Sequence, residues 1–260
     1  MDNSWKVWDD LPELGENFYS RSIDEKDEME SSKSVSKIIS EFVSDEDKIL
    51  DIGCGAGHYL SSLDKKITKK FSYHGVDATE NYLRLAKKAY EGKVTEFRDV
   101  PTFELGDIYN LPMADKYADI VMCNNVLLHL PKIQKPMEEL WRVSKKYLVI
   151  RTLVGDVSMR TKFVKEPEEF DDNGEPLNYN YQNIYSQKYI ENIIAGLKDV
   201  KHFKIFQDLD FDQSKIGEHN FEDNYSSEHI DKKFITTILD GLQTSSYLLL
   251  PWCYIILEKD

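Results

Sequence analysis

The sequence is poor in cysteine, short of basic residues relative to its acids, and without a long apolar run. Each shortage removes a class of function. Cys54, Cys123 and Cys253 are the three cysteines in 260 residues, and no two stand as Cys-x-x-Cys. That spacing suggests neither a disulfide framework nor a zinc site, and it fits a reducing, cytoplasmic setting. The first residues, Met1-Asp2-Asn3-Ser4-Trp5, lack the basic and apolar regions of a secretory leader. The most apolar stretch, Tyr247 to Leu257, is broken by Pro251 and is too short to span a bilayer, so no membrane partner is expected. Lysine and arginine number 33 against 47 acids, a formal net charge of −14. Acidic clusters such as Asp24-Glu25-Lys26-Asp27-Glu28 and Glu166-Pro167-Glu168-Glu169-Phe170-Asp171-Asp172 would repel a phosphate backbone with no basic stripe to offset them, which argues against nucleic acid. With ordinary apolar content and no repeats, the chain suits one α/β domain with appendages.

Against these absences stands one dense motif. Ile49-Leu50-Asp51-Ile52-Gly53-Cys54-Gly55-Ala56-Gly57-His58-Tyr59-Leu60 predicts a buried strand, a glycine-rich bend and the first turn of a helix whose stripe is Leu60, Leu63 and Ile67. Glycine at 53, 55 and 57 lets the backbone turn tightly and lets a ligand lie against it. A dinucleotide fingerprint would need its third glycine where His58 stands, and a phosphate-binding P-loop would need Gly-Lys-Ser/Thr. The pattern Asp-x-Gly-x-Gly-x-Gly instead resembles motif I of the class I S-adenosylmethionine-dependent methyltransferases.

Three further pieces follow in that family's order. Phe71-Ser72-Tyr73-His74-Gly75-Val76-Asp77 predicts a second strand ending in an acid able to accept two ribose hydroxyls, and Thr79 is placed to cap a helix bearing Leu83, Ala86 and Tyr90. Phe103-Glu104-Leu105-Gly106-Asp107 resembles the strand-end Gly-Asp whose acid receives the adenine amino group. Ala118 to Pro131 resembles the fourth strand and its following loop. The resemblance covers about residues 45 to 152. It implies an α/β fold with a doubly wound, mostly parallel seven-stranded sheet, helices on both faces, and substrate-capping insertions. The cofactor it implies is S-adenosylmethionine, leaving as S-adenosylhomocysteine. The residues it places on that cofactor are Asp51, Gly53, Cys54, Gly55, Gly57, Asp77, Ala78, Asp107, Ile108 and Asn124.

The rest of the chain is read from its patterning. Residues 1–44 form an N-terminal arm and an amphipathic helix marked by Val35, Ile38, Ile39 and Phe42, expected to cover the cofactor site, with Tyr19 and Arg21 approaching its methionine end. Residues 45–260 form the methyltransferase domain, with cap insertions at about 153–185 and 212–245, the second holding an amphipathic piece from Phe234 to Leu242. Pro136 is expected to open a helix, Lys146 to Ile150 a fifth strand, and Ser186 to cap a helix bearing Ile190, Ile193, Ile194 and Leu197. Strands near His202 to Leu209 and Cys253 to Glu258 complete the sheet.

Methyl transfer is an in-line displacement, and a hydroxyl acceptor must also lose its proton. His129, after the fourth strand, is the candidate base or else a structural histidine. Neutral Asn124 and Asn125 at that strand's end are poor sole ligands for magnesium, so no metal is expected. An Asn/Asp-Pro-Pro-Tyr signature is absent there as well, which sets aside amino-group methylation of DNA bases or glutamine amides. The run Asn178 to Ser186, with Asn183 and Tyr185, reads either as a substrate wall suited to a polyhydroxylated ligand or as a solvent-exposed turn, and Arg151 either clamps a substrate anion or pairs with a local acid. The function expected is methylation of a small-molecule acceptor, a sugar or sugar-containing hydroxyl. The alternative is a non-catalytic protein that binds S-adenosylmethionine or its product as sensor or scaffold. Oligomeric state is left open.

Overall fold

The structure, a computed structural model, describes Trp8, residues 11–210 and 250–260, and the backbone of three strands between 236 and 250. Five strands run parallel in the spatial order β3 (Thr102–Leu105), β2 (Phe71–Asp77), β1 (Asp47–Ile52), β4 (Ala118–Asn124), β5 (Ser144–Gly155). The central strands are apolar on both faces because both faces are covered. Leu50, Val121, Leu148 and Ile150 point into one core layer, against Met137 and Leu140 of α5 (Gln134–Val143) and Ile190 and Ile194 of α6 (Gln187–Ala195). Their neighbours Ile49, Ile120, Met122 and Val149 point the other way, against α2 (Glu30–Phe42), α3 (His58–Lys66) and α4 (Glu80–Tyr90). Burying each such side chain contributes about 1.5–3 kcal/mol, so a one-residue slip of any strand would be costly.

The last strand, β13 (Trp252–Lys259), inserts antiparallel between β5 and β9 (Val200–Gln207) to complete the expected seven-strand order. Strand order reverses between β1 and β4, so a crevice opens at their carboxyl ends, where open α/β sheets bind ligands. An arm helix, α1 (Pro12–Ser22), packs on α3 and α4 beside that crevice.

Several local expectations change. Helix α5 starts at Gln134, two residues before Pro136. The Thr79 side chain caps nothing; instead its amide donates to Asp77 Oδ1 at 2.9 Å. Ser186 does cap α6, accepting from Tyr189 N at 3.2 Å. The first insertion starts as an extension of β5 to Gly155, then forms a hairpin of β6 (Lys162–Val164) and β7 (Tyr179–Tyr181), and returns as β8 (Tyr185–Ser186) alongside β5. Most of the second insertion lies outside the described residues. In its described part β10 (Thr236–Leu239) and β11 (Leu242–Ser245) pair antiparallel, and β12 (Leu248–Leu250) joins them; the rest of the amphipathic piece lies outside the described residues. No helix among the described residues is long and apolar enough to cross a membrane.

Candidate functional site

The glycine bend lies at the switch point. Gly53, Gly55 and Gly57 have φ of 81°, 55° and 83°, values that disfavour any residue with a Cβ. Space forbids one too: a Cβ on Gly53 would stand 2.2 Å from Val126 Cγ2, and one on Gly57 would stand 2.8 Å from Tyr90 Cε2. The bend is pinned by one carboxylate, and a second lies buried at the end of β1. Asp77 accepts from Gly55 N at 2.8 Å as well as from Thr79 N, and burial pushes its carboxyl above the usual value. Asp51, 1% exposed, accepts from Tyr73 Oη at 2.6 Å. Burial raises the Asp51 carboxyl to about 7, with the Tyr73 hydrogen bond acting against it and the Asp77 charge adding to it. Cys54 is buried beneath the bend, Ala78 packs on the core, and Asp107 accepts from Tyr109 N at 2.9 Å beside buried Ile108.

The arm reaches this bend through a residue that sequence reasoning missed. Phe18, not Tyr19, stacks on the His58 ring with centroids 4.3 Å apart and covers Gly55, while Ser22 Oγ donates to Ala56 O at 2.7 Å. Tyr19 instead turns towards α4, its ring 4.6 Å from Lys88 Nζ. Arg21 is buried and donates to the Asp27 carbonyl, close enough to His58 for its charge to act there. Asn124, 4% exposed at the end of β4, leaves both amide atoms without a partner.

Beyond β4 the chain turns through Asn125 (φ 59°) into a 3-10 turn, Leu127–His129. His129 Nδ1 lies 2.8 Å from Tyr181 O, and a carbonyl only accepts, so Nδ1 carries the proton and Nε2 the lone pair. Burial lowers this imidazole to about 4, and the edge of Trp8 stands on it at 4.7 Å. Arg151 takes the second of its two expected roles. It is 2% exposed and donates to Asp208 Oδ2 at 2.7 Å and to Asn125 Oδ1 at 2.7 Å, so it is not a substrate clamp. Asp208 in turn accepts from Ser34 of α2 at 2.9 Å. Asn183 and Tyr185 are not a substrate wall either: both are 0% exposed. Asn183 Nδ2 donates to Leu130 O at 2.9 Å and Tyr185 Oη to Leu127 O at 2.9 Å, stapling the insertion onto the His129 turn.

A family model described as a methyltransferase domain matches residues 43–203, well over half of the chain. The chain belongs to that methyltransferase family. An uncharacterised methyltransferase of Schizosaccharomyces pombe is 30% identical over 135 residues, 49% of this chain and 48% of that protein. A demethylmenaquinone methyltransferase of Desulfitobacterium hafniense is 30% identical over 97 residues, 37% of this chain and 38% of that protein. The chain spans less than half the length of the curated relatives it matches. Among solved structures, magnesium protoporphyrin IX methyltransferase of Synechocystis PCC 6803, with bound SAM, superposes with a TM-score of 0.56 at 15% identity, over 100% of this chain and 98% of that one. That likeness establishes the shared class I fold.

Within this methyltransferase domain the matched span contains the glycine bend, Asp51, Asp77 and the His129 turn, whereas α1 and β13 fall outside it. Phe18 and Asp208 carry no motif of their own. A hint for Asp208 was an arginine at the end of β5 that needed an acid.

Proposed function

We propose that the protein transfers a methyl group from S-adenosylmethionine to a hydroxyl of a small molecule, with His129 accepting the proton and no metal taking part. The residues suit that cofactor. The three-glycine bend offers it backbone at the switch point, Asp77 and Asp107 offer acceptors for ribose and adenine, and Asn124 offers an unpartnered buried amide. The arm, residues 1–44, covers that cradle through Phe18. Bound there, S-adenosylmethionine supplies an electrophilic methyl on a sulfonium.

The observation that carries the catalytic assignment is the His129–Tyr181 hydrogen bond, which fixes the tautomer whose Nε2 can accept a proton. Burial keeps the ring neutral, hence competent, throughout the physiological range. The acceptor we assign is a sugar or sugar-containing metabolite. Trp8 stands edge-on to the His129 ring at 4.7 Å, and β7, whose Tyr181 carbonyl meets His129, carries the Tyr179 and Tyr181 rings 5.3 Å apart; such aromatic faces suit the C–H faces of a sugar. The neutral asparagines at the end of β4 are the reason to assign no metal.

The test is transfer of labelled methyl to a metabolite panel that includes sugars and hydroquinones. Label on a sugar hydroxyl supports the assignment, and label on hydroquinones alone overturns the acceptor class. A second reading, a non-catalytic binder, draws on the same low imidazole value, since a base of pKa about 4 is weak. Cofactor binding with no transfer to any acceptor would favour it.

A further inference from the structure

His58 has no part in the chemistry above, yet its placement is unusual. It is the first residue of α3, 6% exposed, and its Nδ1 is buried without a hydrogen-bond partner. A buried polar atom left unsatisfied costs about 1–3 kcal/mol, so its retention calls for a reason. The ring is held from two sides, stacked on Phe18 at 4.3 Å and tilted against Tyr59 at 4.6 Å. Its Nδ1–Cε1 edge faces the glycine bend: a Cβ on Gly55 would lie 3.5 Å from Cε1 and 3.6 Å from Nδ1. The unmet nitrogen therefore borders the backbone on which the cofactor is assigned.

Resting on the methyltransferase assignment, we infer that His58 Nδ1 is a cofactor-binding atom that accepts a hydrogen bond from the ammonium group of S-adenosylmethionine's amino-acid end. Ribose and adenine already have acids assigned, Asp77 and Asp107, whereas at the amino-acid end one Asp51 oxygen is taken by Tyr73 at 2.6 Å. A neutral imidazole can accept only if it stays unprotonated, and burial together with the Arg21 charge holds His58 at about 3. Phe18 makes the arm part of the site by fixing the ring plane.

Calorimetric titration of His58→Phe and His58→Asn with S-adenosylhomocysteine and with 5′-methylthioadenosine, which lacks the amino-acid end, tests this. Asparagine can place a polar atom where Nδ1 stands; phenylalanine keeps the stack and removes the acceptor. We expect His58→Phe to weaken S-adenosylhomocysteine at least tenfold while leaving 5′-methylthioadenosine within about threefold, and His58→Asn to restore most of the loss. Thermal melting checks that both variants fold. Unchanged S-adenosylhomocysteine affinity in a folded His58→Phe, or equal weakening of both ligands, overturns the inference. Should the wild type bind neither ligand, the methyltransferase assignment itself fails, which is a separate outcome.

Discussion

The Gly55 amide donates to Asp77 Oδ2 at 2.8 Å, tying the glycine bend after β1 to the carboxyl end of β2. The β1–β2 ladder sets the register of the two strands, and this bond to a carboxylate, a class that contributes roughly twice a neutral bond, holds the bend against the end of β2. Asp77 shapes the bend and, in the proposed function, also accepts from a ribose.

Replacing Asp77 with alanine removes both functions. We expect the variant to bind S-adenosylhomocysteine about 10- to 150-fold more weakly, equivalent to about 1.5–3 kcal/mol, in a calorimetric titration. Affinity within twofold of wild type would mean that Asp77 touches no ligand.

For His129, the fixed tautomer and the low imidazole value set the pH dependence. His129→Gln should bind the cofactor as wild type does, yet single-turnover methyl transfer should fall by about 10²- to 10⁴-fold. Because the ring titrates near 4, the deficit should stay constant from pH 6 to pH 8 rather than grow through neutrality. A wild-type rate in the purified variant at every pH would remove His129 from the chemistry.

Tyr185 separates structure from recognition. Its hydroxyl donates to Leu127 O at 2.9 Å and lies 3.2 Å from Leu130 O, deep beneath the His129 turn. Tyr185→Phe should destabilise the fold by about 1–3 kcal/mol in urea unfolding and leave KM for the acceptor unchanged in the folded fraction. A raised KM without loss of stability would restore it as a substrate residue.

The legible parts of this molecule were those that local sequence alone determines. Gly53, Gly55 and Gly57 are demanded by backbone angles, and Ile49 to Ile52 or Leu148 to Ile150 by burial on two faces, so the bend and these strands could be read from spacing, while the sheet that joins them was implied by the family resemblance. Side-chain direction could not. Phe18 and Tyr19 are adjacent on α1, where successive residues point about 100° apart, and only packing on α3 and α4 decides which ring meets the bend. Arg151 finds Asp208 57 positions away, and Asn183 and Tyr185 look like exposed turn residues until the hairpin folds them under residues 127–130. Polar composition marked that insertion as surface, but buried carbonyls of the 3-10 turn needed donors, and the insertion supplies them.

Asp51 makes stability depend on pH in the ligand-free protein. Its carboxyl titrates near 7 when folded and near 4 when unfolded, so below pH 4 it is protonated in both states and burial carries no charge penalty. Between pH 4 and pH 7 the unfolded chain gives up this proton while the folded state holds it, so stability is lost as pH rises across that window and levels off above 7, where the folded state buries the charge. Asp51→Asn, free of this titration, should gain roughly 2–3 kcal/mol relative to wild type between pH 5 and pH 8 in urea unfolding. A difference independent of pH would place the Asp51 titration elsewhere.

Titration of the purified protein with S-adenosylhomocysteine and, separately, with NAD tests the cofactor assignment most directly, because the two cofactors make opposite demands on the bend. NAD needs a third glycine where His58 stands, while the proposed sulfonium site uses the glycine bend of residues 53–57 and the acids at 51 and 77. The account predicts saturable S-adenosylhomocysteine binding at one site per chain, weakened by Asp77→Ala, and no heat with NAD. Saturable NAD binding with none of the sulfonium-derived ligand would contradict it.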